Sequence, residues 1–182
     1  MILAALLLAS SFQIQSNFWV NLHQRLQHES DAIRDVLVRA APFAGPVGAF
    51  TGDVKVTHTT ISSLHPNYRG VFALEMMLHE SSHGVFDEEL VGDRAKKLGL
   101  EAPPNLWHAI LFYTSGELTR RFLGTRGIDD YKPVAHAAGV FKRGDNPRYV
   151  PLLETTWQQH IDGKLSLDDA ISSMITHLAS KK

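Results

Sequence analysis

The sequence contains no cysteine, which excludes disulfide bonds, thiolate ligands for zinc and cysteine-based catalysis. This absence leaves the cellular compartment open, because secreted proteins can also lack cysteine. An excess of charge of one sign is missing too, since 18 basic and 19 acidic residues give a formal net charge of −1. The basic residues form no cluster, so the sequence predicts no nucleic-acid partner.

Long hydrophobic runs are absent apart from the first dozen residues. Residues 1–12 are mostly apolar and end in small residues, which is typical of the hydrophobic region of an export signal, although no Lys or Arg precedes them. This run is too short to span a bilayer, so we expect no stable membrane insertion. We interpret residues 1–12 as the remnant of a bacterial signal peptide and predict a secreted or periplasmic protein. The alternative is a buried N-terminal helix in a cytoplasmic protein.

Residues 13–182 have the composition of one globular domain, with 44% hydrophobic and 20% charged residues in the chain. Residues 41–52 and 127–148 are expected to be irregular, and a strand is expected from Asp53 to Ile61. Hydrophobic periodicity predicts helices over residues 15–40, 69–83, 90–100, 103–122, 149–161 and 167–179. The expected fold class is therefore α+β, mainly helical, with a small sheet beside the second helix.

The most informative segment is the HExxH motif of residues 79–83, within the second predicted helix. The four-residue spacing places His79 and His83 on one face of a helix, where both imidazoles can bind one metal ion. Two nitrogen ligands suit Zn²⁺ better than Ca²⁺ or Mg²⁺, which prefer oxygen. Glu80 directly follows the first histidine, so its carboxylate is expected beside a metal-bound water, as a general base.

A second interpretation of the motif is a pair of ordinary core histidines. Phe72, Met76, His79 and His83 share one helix face, so the histidines continue an apolar stripe and should point inward. A single inward histidine is usually satisfied by hydrogen bonds and binds nothing. Two at this spacing, with Glu80 between them, favour a metal site.

With this motif the chain resembles the zincin superfamily of zinc metallopeptidases, over roughly residues 50–125. The resemblance implies a zincin-like fold, a Zn²⁺ cofactor, and a peptide or protein substrate. Metzincins have a third histidine six residues after the second, following a glycine, but Phe86 and Glu89 occupy those positions here. The resemblance is therefore to gluzincins rather than to metzincins.

A catalytic zinc site takes three protein ligands, and the sequence leaves the third one open. Asp87 follows on the motif helix, but a ligand from a separate segment closes a tetrahedron more easily. Glu117, on the predicted helix over residues 103–122, is the formal gluzincin match. However, Arg121 stands where an acidic residue is usual, and Glu117 could instead form an ion pair with Arg120 or Arg121. His108 lies on a packed, partly polar face of this helix, so we prefer it to Glu117 as the third metal ligand.

Zincin catalysis often uses a second donor, a Tyr or a His, to hold the oxyanion. Tyr113, Tyr131 and His136 are candidates by position, and we choose Tyr131 as a catalytic residue because it lies in a loop just after the helix of His108. The alternative is a half-buried tyrosine that anchors this loop. Glu75 is either a hydrogen-bond acceptor for the other ring nitrogen of His79 or a solvated surface residue.

The sequence thus predicts a zinc-dependent hydrolase, and within that class a metallopeptidase that uses a zinc-bound water activated by Glu80. His79, His83 and His108 are the predicted metal ligands. Two other classes stay open. One is a non-catalytic zinc-binding protein on a zincin scaffold, and the other is a helical interaction domain in which HExxH is incidental.

Overall fold

The computed structural model describes residues 37–41, 44, 48–53, 57–65 and 68–181. The predicted export signal and most of the predicted helix over residues 15–40 lie outside these ranges. The described part is mainly helical with one small sheet, which confirms the expected α+β class. None of its helices combines the length and apolar character that crossing a membrane requires.

The sheet consists of β1 (Leu37–Ala41), β2 (Ala49–Asp53) and β3 (Thr57–Ser62), with β3 in the centre. Strand β1 pairs with β3 in parallel, and β2 pairs with it antiparallel. The predictions of helix through residue 40 and of loop over residues 41–52 are therefore wrong for β1 and β2. Both segments are strands because they pair with β3, and such pairing leaves no periodic signal within short segments.

The helices cover most of the expected segments. In chain order the helices of the described residues are α1 (Val71–Ser82), α2 (Glu88–Lys97), α3 (Leu106–Gly124), α4 (Val134–Ala137), α5 (Asn146–Leu152), α6 (Gln158–Ile161) and α7 (Leu167–Ala179). Helix α7 coincides with the predicted helix over residues 167–179, whereas α4 and a 3₁₀ turn (Val140–Lys142) lie where irregular structure was expected. A π-helical segment, Leu153–Trp157, joins α5 to α6.

Side-chain caps explain where two of these helices begin. The Ser166 hydroxyl accepts a hydrogen bond from the backbone N–H of Asp169 at 3.1 Å and caps α7. The Asp87 carboxylate accepts from the backbone N–H of Leu90 at 3.0 Å and caps α2. Asp87 thus caps α2, which agrees with the expectation that the third metal ligand comes from a separate segment.

Two hydrophobic clusters hold the elements together. The larger one joins α3 to the C-terminal helices around the fully buried Trp157, whose indole N–H donates to the Thr114 hydroxyl at 2.8 Å. The smaller one lies between the sheet and α1, and contains Ile61 and Met76. Helix α1 also packs on α3, so it joins the sheet to the helical body.

Candidate metal centre

Helices α1 and α3 pack side by side and run in opposite directions. The ring of His79 stacks on Phe112 at a centroid distance of 3.9 Å, and the ring of His83 lies 5.3 Å from that of His108. The earlier residue of α1 thus contacts the later residue of α3, and the later residue of α1 contacts the earlier one, which is the pattern of antiparallel helices. The end of α1, which carries the HExxH motif, therefore meets the first turn of α3.

The three predicted histidine ligands come together at this point. Their ligand nitrogens all lie within 4.8 Å of one another, and the Nε2 atoms of His79 and His108 are 3.1 Å apart. Tetrahedral zinc with Zn–N bonds of about 2.0–2.1 Å places two nitrogens roughly 3.3 Å apart. The same separation also suits a hydrogen bond between two neutral imidazoles. The group could therefore hold a metal ion, and the donor set fits zinc.

Burial keeps these imidazoles neutral near pH 7, the state that binds a metal. It lowers the pKa of His79 well below its ordinary value, with charge on His108 and His83 lowering it further and the backbone of Leu111 opposing. Burial also lowers the pKa of His83. For His108, burial and then charge on His83 lower the pKa to about 4. All three side chains can therefore offer a lone pair without first losing a proton.

Two aromatic side chains of α3 enclose the histidines. Phe112 stacks on His79 and lies 4.8 Å from the ring of His108. Trp107 stacks on His108 at 5.0 Å and meets the edge of His83 at 5.5 Å. Such walls orient the imidazoles and limit the access of water. Phe112 follows His108 by one helical turn, so the helix periodicity already placed it on the same face.

Glu80 is buried, with 8% of its surface exposed, and its side chain faces strand β2. The hydroxyl of Thr51 lies 3.1 Å from its Oε2 atom and 2.6 Å from its backbone oxygen. Burial raises the pKa of Glu80 to about 7, and the hydrogen bond from Thr51 opposes this shift. A carboxyl group with such a pKa can take up and release a proton near neutral pH, as a general base must.

Glu117 lies apart from the histidine group. Its carboxylate accepts hydrogen bonds from Arg120 at 2.8 Å and from Arg121 at 2.7 Å. Burial raises the pKa of Glu117, but the bonds from both arginines outweigh it and the net shift is downward. This ion pairing at positions three and four further along the helix is the alternative that the sequence offered. Of the two candidates for the third ligand, the structure brings only His108 to the motif.

Tyr131 is engaged elsewhere on α1. Its hydroxyl donates to Glu75 at 2.6 Å, and the backbone N–H of Val134 donates to the same carboxylate at 3.0 and 3.1 Å. Glu75 is fully buried, so the prediction of a solvated surface position for it is wrong. Its carboxylate accepts hydrogen bonds from Tyr131 and Val134 rather than from His79. Tyr131 thus anchors the loop that follows α3, and a catalytic role for it stays a prediction.

Sequence patterns gave no sign of Tyr68, whose hydroxyl is influenced by the charge of Glu80. Burial, and then the negative charge of Glu80, raise the pKa of the Tyr68 hydroxyl. The Tyr68 ring stacks on His65 at 4.3 Å, and a Cβ atom at Gly48 would lie 2.7 Å from either ring. Tyr68 stands in a turn before α1 without periodic neighbours, so no pattern pointed to it.

No protein-family model, curated protein or solved structure matches the chain. The features that bear on function are therefore the histidine group, its aromatic surroundings and Glu80. The resemblance to zincins rests on the motif residues among them.

Proposed function

We propose that the protein is a zinc-dependent hydrolase, and specifically a metallopeptidase. One observation carries the proposal: three histidines from two helices have their ligand nitrogens within 4.8 Å of one another, and the residue that follows His79 is the buried Glu80. Three neutral nitrogen donors are a set that catalytic zinc takes, and they leave a fourth position open for water or substrate. In this proposal His79, His83 and His108 bind the metal.

When bound, zinc would supply Lewis-acid chemistry, because it polarises a substrate carbonyl and makes water more acidic. Glu80 would take a proton from the attacking water and pass it to the leaving amine. The pKa of about 7 suits both transfers. Tyr131 remains the predicted donor to the oxyanion in this proposal, and its hydroxyl would have to leave Glu75 to act there.

A zincin-like scaffold and a peptide or protein substrate belong to the same proposal. Their support is the resemblance of the HExxH segment, together with a motif helix that packs between a small sheet and a second helix. Export to the periplasm or the medium also stays a proposal, based on residues 1–12. The substrate class is argued from analogy with the superfamily, since a fold alone does not define an activity.

The first experiment measures zinc per chain by elemental mass spectrometry after loosely bound metal has been removed. We expect close to one zinc per chain in the wild type and in Glu80→Gln, because Glu80 is not a ligand. Zinc-loaded wild type should cleave a fluorescence-quenched peptide library and lose this activity with a chelator. Glu80→Gln should keep zinc and lose cleavage.

Each other outcome overturns a defined part of the proposal. Absence of zinc after reconstitution would overturn the metal centre and favour a helical interaction domain. An unchanged cleavage rate in Glu80→Gln would overturn the assignment of the general base. One zinc per chain without chelator-sensitive cleavage would favour a non-catalytic zinc-binding protein.

A further inference from the structure

Strand β2 reaches the motif helix through the hydroxyl of Thr51. This oxygen lies 2.6 Å from the backbone oxygen of Glu80 and 3.1 Å from its Oε2 atom. Within the described part of the chain, the hydrogen bond recorded for the Glu80 carboxyl group comes from Thr51. The position of that carboxyl group is therefore set from the sheet as well as from its own helix.

Further hydroxyl groups hold the same face of the sheet against α1. Thr51 pairs with Thr59 across β2 and β3, and their hydroxyl oxygens are 3.4 Å apart. The buried Thr59 hydroxyl lies 3.5 Å from that of Ser81, which donates to the backbone oxygen of Met77 at 2.7 Å. The short contact of this group is the 2.6 Å hydrogen bond from Thr51 to the Glu80 backbone oxygen, which keeps the Thr51 hydroxyl next to Glu80.

A hydroxyl group has one hydrogen and two lone pairs, so it can serve Glu80 in two ways. It can donate its hydrogen to the carboxylate. Once the carboxyl group carries a proton taken from water, the hydroxyl can accept from that group and donate to the Glu80 backbone oxygen instead. One side chain thus holds the carboxyl group in both states through which a general base passes.

We propose that Thr51 is a positioning residue for the reaction, which holds the carboxyl group of Glu80 in place from the sheet. This inference rests on the proposed function and assigns a role to a residue outside the motif. The competing role is structural, in which Thr51 only ties α1 to β2 through the backbone oxygen. A structural role would change stability without a selective change in kcat.

The test compares Thr51→Val, which keeps the shape and removes the hydroxyl, with Thr51→Ser, which keeps the hydroxyl. Thr51→Ala is a second variant without the hydroxyl, in case the valine variant folds poorly. Thr60→Val is the matched control, because Thr60 is the neighbour of Thr59 on β3 and its side chain points to the opposite face of the sheet. Each zinc-loaded protein is assayed for zinc content, thermal unfolding, and kcat and KM on the peptide that the wild type cleaves best.

We expect kcat to fall about 10- to 100-fold in Thr51→Val and Thr51→Ala, the range for losing a hydrogen bond to a charged group. KM and zinc content should stay close to the wild-type values. Thr51→Ser should restore most of kcat, and Thr60→Val should behave like the wild type.

Wild-type kcat in Thr51→Val would overturn the inference and leave the proposed function intact. An equal loss of kcat in Thr51→Ser or in Thr60→Val would also overturn it, because the hydroxyl next to Glu80 would then not be the cause. Absence of zinc or of cleavage in the wild type itself would overturn the proposed function, and this inference with it.

Discussion

The Nε2 atoms of His79 and His108 lie 3.1 Å apart, although 29 residues separate them in the chain. His79 belongs to the last turns of α1 and His108 to the first turn of α3, and the antiparallel packing of these helices brings them together. HExxH alone supplies two ligands. The geometry therefore completes a three-histidine set from a helix that the motif does not include.

Replacing His108 with alanine should remove zinc, whereas replacing Glu117 should not. We expect zinc affinity to fall more than about 100-fold in His108→Ala, beyond the effect of losing an outer-shell partner. Glu117→Ala should keep one zinc and lose up to about 1 kcal/mol of stability, because its arginine partners are partly exposed. The measurement is the zinc content of each variant after dialysis against a competing chelator. Loss of zinc in Glu117→Ala and its retention in His108→Ala would identify Glu117 as the ligand.

Removing the metal should lower the melting temperature of the wild type. A ligand that binds only the folded state at about 1,000 times its Kd stabilises it by roughly 4 kcal/mol, or about 10 °C in Tm for a chain of this size. The control is the double variant His79→Ala, His83→Ala, whose Tm should not respond to zinc or chelator. Equal responses in both proteins would mean that zinc acts somewhere else.

Local patterns predicted the parts of the site that lie on helices. The spacing of His79 and His83 follows from the turn of one helix, and His108 stands on a helix whose apolar stripe is visible in the sequence. The cap at Ser166 also depends on a local contact, since its partner is only three residues away. These features depend on contacts within a few residues.

The remaining parts depend on contacts between distant segments. Thr51 lies in a strand that forms only by pairing with β3, and it reaches Glu80 across 29 residues. Glu75 is buried because a loop 59 residues later brings the N–H of Val134 to it. The pattern within the helix alone predicts that Glu75 lies on the surface, because it contains no information about the distant segments that pack there.

Two glycines in helix interiors should respond to alanine in opposite directions. In α3, a Cβ atom at Gly116 would lie 2.7 Å from the Cβ of Pro133 and 3.2 Å from the Oε1 atom of Glu75. We expect Gly116→Ala to destabilise the protein by about 1–3 kcal/mol through overpacking. In α2, a Cβ atom at Gly92 would meet no atom of the described residues within 4 Å. Gly92→Ala should therefore stabilise by about 0.5–1 kcal/mol, because alanine is the better helix former.

Urea unfolding of the two variants and the wild type measures both effects. The pair is informative because the chemical change is the same and only the surroundings differ. Stabilisation by Gly116→Ala would mean that the loop at Pro133 does not pack against α3 as the structure has it.

The buried carboxyl group of Glu75 should make stability depend on pH. Burial raises its pKa to about 6, against the opposing hydrogen bonds from Tyr131 and Val134. Among the residues that the structure describes, no Lys or Arg forms an ion pair with it. The protonated form is thus the one that the fold prefers. Its stabilising contribution is fully present below pH 4.5 and is lost as the pH rises through 6.

The variant Glu75→Gln cannot titrate, so the difference between it and the wild type isolates this group. The shift from 4.5 to about 6 corresponds to roughly 2 kcal/mol. We expect the variant to gain about that much stability relative to the wild type between pH 4.5 and pH 7.5, measured by urea unfolding of the metal-free proteins. Tyr131→Phe should shift the wild-type transition to higher pH, because it removes a hydrogen bond that favours the carboxylate. A difference between Glu75→Gln and wild type that is constant with pH would show that Glu75 has the same pKa in the folded and unfolded chains.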